Sequence, residues 1–96
     1  MKPITLLELQ KFPIAHTDAG DFLYGPNGPE SEFLIEGKIT KYRAGLFFIS
    51  IDDRKFTTHK NSKFSVDENV LCVVRPKIED GKVVDFIVSG LEKINN

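Results

Sequence analysis

From Phe33 onward the chain alternates apolar and polar residues in short runs separated by two-residue turn signals, a period-two pattern that suits strands and excludes long helices. In Phe33–Arg43, positions 33, 35 and 39 are apolar while 36, 38 and 40 are polar, as in a strand buried on one face. Gly37 lies inside this run and predicts a bulge or sharp bend. Ala44-Gly45 turns the chain into Leu46–Ile51, where Phe47, Ile49 and Ile51 share one face and Phe48 points the other way. Asp52-Asp53 then turns it into Arg54–His59 with Phe56 inward, which completes a three-strand meander. Lys60–Lys63 reads as a polar loop, and Phe64–Asn69 as a turn or short helix plugging a barrel end. Val70–Val74 is a run of five apolar residues, three of them β-branched, which predicts a central strand that stops before Pro76. Asp80-Gly81 signals a hairpin into Val83–Val88, a fifth strand ending near Ser89-Gly90, with Leu91–Ile94 expected to offer two apolar contacts and then fray.

The first 32 residues read differently. Thr5 and Glu8 form a capping box, and Ile4 and Leu9 stand at the staple positions, so a helix is expected over residues 6–11. Pro13 disfavours helical geometry at Phe12 and stops it. A helix this short is unstable alone, so Leu6, Leu7 and Leu9 must dock on the domain or on a partner. Tyr24–Ser31 holds two Gly and two Pro in eight residues and reads as a loop. The organisation expected is a leader over residues 1–32, with a short helix and a Gly/Pro-rich loop, and a barrel over 33–96. Ninety-six residues leave room for one core only.

Five strands with a glycine in the first, a plug after the third and a closing hairpin match the order of a small all-β OB-like barrel, and an SH3-like barrel is the alternative. The segments Gly37-Lys38-Ile39-Thr40-Lys41, Gly45-Leu46-Phe47-Phe48-Ile49 and Val66-Asp67-Glu68-Asn69-Val70 resemble the small OB domains of ribosomal-protein S-one-type repeats and bacterial initiation-factor relatives. The resemblance covers residues 33 to about 90. It departs from those domains at Glu68-Asn69, where they commonly carry glycine, and in the leader, which has no counterpart there. It implies a nucleic-acid-binding module that takes single-stranded DNA or RNA on its outer face.

Charge distribution gives that implication named residues. Residues 1–32 carry two basic and five acidic side chains, 33–64 carry seven and three, and 65–96 four and six, so a net charge of -1 conceals a basic centre. Six of the ten aromatics also lie there, namely Phe33, Tyr42, Phe47, Phe48, Phe56 and Phe64. Strict alternation would put Lys38, Thr40 and Tyr42 on one outer face with Phe48 and Ser50, and with Lys55, Thr57 and His59. On this face Tyr42 and Phe48 are expected to stack on bases. Lys38, Lys41, Arg43, Lys55, Lys60 and Lys63, with His59 beside them, are expected to meet phosphates. The near-zero net charge predicts weak to moderate affinity. A competing expectation is a protein-interaction or accessory module that uses the barrel as a scaffold and docks partners through its acidic leader or its outer face. The leader is also expected either to cap the barrel or to compete with phosphate for the basic face.

Other chemistries find little support. His16, His59 and Cys72 stand at no ligand-like spacing, so no metal and no cofactor is expected. Adjacent Asp52-Asp53 suits a turn rather than an acid/base pair, and neither a nucleophile elbow nor a phosphate-binding glycine loop occurs, so no enzyme is expected. One cysteine, no signal-peptide pattern in Met1–Gln10 and no run of apolar residues long enough for a membrane predict a cytoplasmic protein.

Overall fold

The computed structural model describes residues 4–94. Its single helix α1 (Leu6–Gln10) starts where the capping box predicts: the Glu8 amide donates to Thr5 Oγ1 at 3.1 Å, and the Thr5 amide to Glu8 Oε1 at 3.4 Å. Eight strands follow: β1 (Ile14–Thr17), β2 (Gly20–Gly25), β3 (Gly28–Glu30), β4 (Phe33–Arg43), β5 (Leu46–Ile51), β6 (Arg54–His59), β7 (Asn69–Glu79) and β8 (Lys82–Lys93). The first three make an antiparallel sheet in the order β1-β2-β3, and the other five make a second in the order β6-β5-β4-β7-β8. In that second sheet the first strand pairs with both the second and the fourth, while β6 and β8 approach across a seam without pairing. The result is a nearly closed OB-like barrel.

Inward side chains of the alternating strands fill it: Phe33, Ile35 and Ile39 from β4, Phe47, Ile49 and Ile51 from β5, Phe56 from β6, and Val70, Cys72 and Val74 from β7 are all buried. Three two-residue hairpin turns set the registers, at Ala44-Gly45, Asp52-Asp53 and Asp80-Gly81, with all six residues at positive φ as type I′ turns require. Phe64 is buried in the loop between β6 and β7, which is made of turns without a helix. That loop is tied to β4 by bonds from Asp67 N to Ile39 O (2.7 Å) and from Ile39 N to Glu68 O (3.0 Å).

Several expectations need correction. Residues 14–30, including the supposed loop Tyr24–Ser31, form the three-stranded sheet, in which Leu23 faces Glu30 and Tyr24 faces Pro29 across a hairpin. Glycine and proline there sit at strand ends and turns, so they shorten the strands without preventing pairing. β7 continues through Pro76 to Glu79, because beyond Val74 it has β8 alone as neighbour and one side of the strand needs no donor. β8 continues past Ser89 to Lys93 through a bulge between the Val74–Val88 and Val73–Gly90 pairs, and Leu91 makes the apolar contact expected of it. Of the leader residues expected to dock, Leu6 and Leu9 do so, and with Leu23 they belong to the same buried cluster as the barrel residues, while Leu7 is exposed. Ile4 N bonds Leu34 O at 3.1 Å, and Gln10 lies in a shallow depression beside Arg54 and Val83–Phe86, so α1 covers the barrel end from which β4 departs.

Candidate nucleic-acid interface

β4, β5 and β6 bring the candidate residues together through register. Ile39 pairs with Ile49, but the next pair is Lys41 with Phe48, so Thr40 is an extra residue on β4. Its hydroxyl donates to Phe48 O at 3.2 Å, which gives the interrupted ladder a substitute bond. Every β4 side chain after Thr40 therefore faces the side opposite to the one alternation predicts.

On the outer face this leaves three cross-strand rungs. Lys38, Ser50 and Lys55 form the first, Lys41, Phe48 and Thr57 the second, and Arg43, Leu46 and His59 the third. Lys41 Nζ lies 5.7 Å from the centre of the half-buried Phe48 ring. The expected partnership of Tyr42 with Phe48 on one face is overturned by the bulge: Tyr42 pairs with Phe47 and shares the opposite face with Thr58. There it stands edge-on to Phe47, ring centres 6.1 Å apart, remains 47% exposed, and carries Lys60 Nζ 4.8 Å above its ring. Lys60 N also bonds Gly45 O at 2.9 Å, which holds the start of the loop against the hairpin turn. Lys63 is exposed farther along this loop, its amide bonded to Asn61 Oδ1 at 3.0 Å.

Electrostatically the outer face is open. Among the described residues the ion pairs are His16–Asp21, Arg54–Asp85 and Lys93–Glu68, so none of Lys38, Lys41, Arg43, Lys55, Lys60 and Lys63 is neutralised by one. No acidic residue occurs between Lys38 and Ile51 or between Arg54 and Val66. The leader's acidic side chains reach none of these cations; His16 and Asp21 pair with each other at 2.8 Å within the three-stranded sheet. Nor does any described leader residue line the groove beside Phe48.

That groove, about 410 Å³, follows the seam between β6 and β8 and was not foreseen. Phe48, Lys55 and Thr57 line one side and Asp85–Val88 the other. Arg54 spans it, with Cζ 5.3 Å from the centre of Phe56 and 5.5 Å from that of Phe86, and Nη2 3.8 Å from Asp85 Oδ1. Ile87 is 51% exposed at its rim. The third and fifth strands of an OB-type barrel meet at such a seam, so the topology was the signal that would have located it.

Cys72 is buried and its thiol is pushed up to about 12 by desolvation, which makes it inert at neutral pH. Among the described residues no three His, Cys, Asp or Glu side chains converge on a point. No described helix is long and apolar enough to cross a membrane. Comparison with protein-family models, curated proteins and solved structures finds no match.

Proposed function

We propose that the chain is a nucleic-acid-binding module that holds single-stranded DNA or RNA on the outer face of β4, β5 and β6, binds without transforming its ligand, and works in the cytoplasm. The observation that carries this reading is the middle rung, where Lys41 lies over Phe48 between rungs bearing Lys38 and Lys55 on one side and Arg43 and His59 on the other. Stacking a base on an aromatic ring is worth about 1–3 kcal/mol, whereas an exposed cation–π contact contributes about 0.5–1 kcal/mol. An incoming base therefore displaces the lysine from the ring, and the freed ammonium is then placed to meet the phosphate of the stacked nucleotide.

Both flanking hairpin turns contain only two residues, so the contact area is that of the strand face. Affinity in the range of non-specific binding, about 10⁻⁴–10⁻⁶ M at physiological salt, is expected. Fluorescence anisotropy with labelled oligo-dT and oligo-rU measures it. Four engaged cations on the face give a log–log salt slope of about -3, and Phe48→Ala weakens binding about fivefold or more. Absence of binding at high micromolar protein and low salt overturns the reading.

A second reading, a protein-docking module, draws on the three-stranded sheet, whose Tyr24 is 54% exposed in the acidic segment 1–32. Oligonucleotide binding that survives a combined Lys41→Ala and Phe48→Ala substitution favours it.

A further inference from the structure

The Thr40 bulge gives the β4–β5 hairpin an aromatic ring with a lysine over it on each of its two faces. Phe48 with Lys41 lies on the outer face; Tyr42 with Lys60 lies on the other. Between them the hairpin ends in Ala44-Gly45, which presents no side chain larger than a methyl group, next to the outward Arg43. No carboxylate lies between Lys38 and Ile51, the paired length of this hairpin, to repel a phosphate. A ligand that used the outer face alone would leave the half-exposed Tyr42 and its lysine unengaged.

We infer that a bound single strand turns around the tip of the β4–β5 hairpin and stacks bases on both of its faces, on Phe48 and on Tyr42. This rests on the nucleic-acid reading above and extends it to the path of the chain. From the Phe48 rung to the tip is about 10 Å, the return to Tyr42 is slightly shorter, and crossing the sheet adds about 10 Å. A path of about 30 Å takes on the order of five to nine nucleotides, within the range occupied on a single OB barrel. A duplex is too stiff to make the turn, because its persistence length is about 150 base pairs. The ligand must therefore be single-stranded and longer than one face requires.

The test compares three-nucleotide and ten-nucleotide oligo-dT and oligo-rU by anisotropy on the full chain, with Phe48→Leu, Tyr42→Leu and Lys60→Gln variants whose thermal midpoints are checked first. For the ten-nucleotide ligand, Tyr42→Leu is expected to weaken binding between about fivefold and a hundredfold, as Phe48→Leu does. For the three-nucleotide ligand, which reaches one face at a time, the Tyr42→Leu loss stays within about twofold. Lys60→Gln lowers the salt slope by about 0.7 for the long ligand and leaves it unchanged for the short one, which keeps the test available should Tyr42→Leu fail to fold. If Phe48→Leu weakens the ten-nucleotide ligand while Tyr42→Leu and Lys60→Gln do not, the strand stays on the outer face and the turn is overturned, though the proposed function stands. Equal Tyr42→Leu losses for both lengths overturn it too, by making Tyr42 part of a single-face site. Absence of binding by either wild-type ligand removes the proposed function and this inference together.

Discussion

Gly37 has no room for a methyl group. A Cβ built there would stand 2.9 Å from Ile51 Cγ1, 3.0 Å from Cys72 Sγ and 3.1 Å from the carbonyl oxygen of Ser50, and the last of these is backbone that cannot swing aside. The glycine was legible as special, but the bulge it was expected to mark lies three residues later, at Thr40; Gly37 serves the close approach of strands inside the barrel. Gly37→Ala is expected to destabilise by about 1–3 kcal/mol through overpacking, measured as a lower denaturation midpoint, and an unchanged midpoint refutes this account. Glu68 is a half-buried counterpart. Lys93 Nζ donates to its Oε2 at 2.8 Å and the Ser65 amide to its Oε1 at 3.0 Å, and these bonds hold its carboxyl below the usual carboxylate range. With the folded value lowered, the stabilisation is complete above the ordinary carboxylate range and is lost as pH falls through the folded value. The thermal midpoint of Glu68→Gln should therefore lie below that of the natural chain at pH 7 and converge with it in acid. A gap that is independent of pH would show that the ionised carboxylate contributes nothing.

At the scale of elements, the strands that were legible are those with a buried face and a two-residue turn at the end. β4, β5 and β6 run as expected because Ile35, Ile39, Phe47, Ile49 and Phe56 give their alternation a fixed phase. The register beyond Ile39 was illegible for a physical reason: Thr40, Lys41, Tyr42 and Arg43 are all polar or amphipathic, so neither phase of that run costs core burial. The candidate interface was misassigned at that point, with Tyr42 placed on the wrong face, while Lys38, Lys41, Arg43, Phe48, Lys55 and His59 do share one. The small sheet β1–β3 was illegible because its strands are three to six residues long and present few buried side chains, Leu23 among them. The turn that joins β4 to β5 is itself unfinished. Ala44 adopts φ 52°, a region costly for a residue with a Cβ and no side chain able to bond locally. Asn is favoured at this first position of a type I′ turn before Gly. Ala44→Asn should stabilise by about 0.5–1 kcal/mol, a rise of several degrees in the thermal midpoint, and a fall would contradict the turn assignment.

For the whole molecule, the barrel was legible from its strands and a capping leader was one of two expectations, but which of the two holds was not legible, because Leu6, Leu9 and Leu23 lie outside the alternating region and their destination is fixed by tertiary packing. They are three of the sixteen buried apolar residues, all within 2% of complete burial. Burying each stabilises by about 1.5–3 kcal/mol, a sum comparable with the total stability of about 5–15 kcal/mol that a small domain has. Phe33 and Ile35, beside the cap, would lose part of their cover as well. Deleting residues 1–31 should therefore leave a barrel that melts at much lower temperature or aggregates, whereas a leader that merely competed for the basic face would leave stability intact and oligonucleotide binding tighter. The lone thiol provides a readout that needs no ligand. In the full chain Cys72 is wholly buried and its thiol is pushed up to about 12, so a thiol reagent at pH 8 reacts with it only when the barrel opens. Modification should be slow in the full chain and approach the unfolded rate in the truncated one. A truncated barrel with an unchanged thermal midpoint and a protected Cys72 would show that the five strands fold alone and that the helix and small sheet are an appendage.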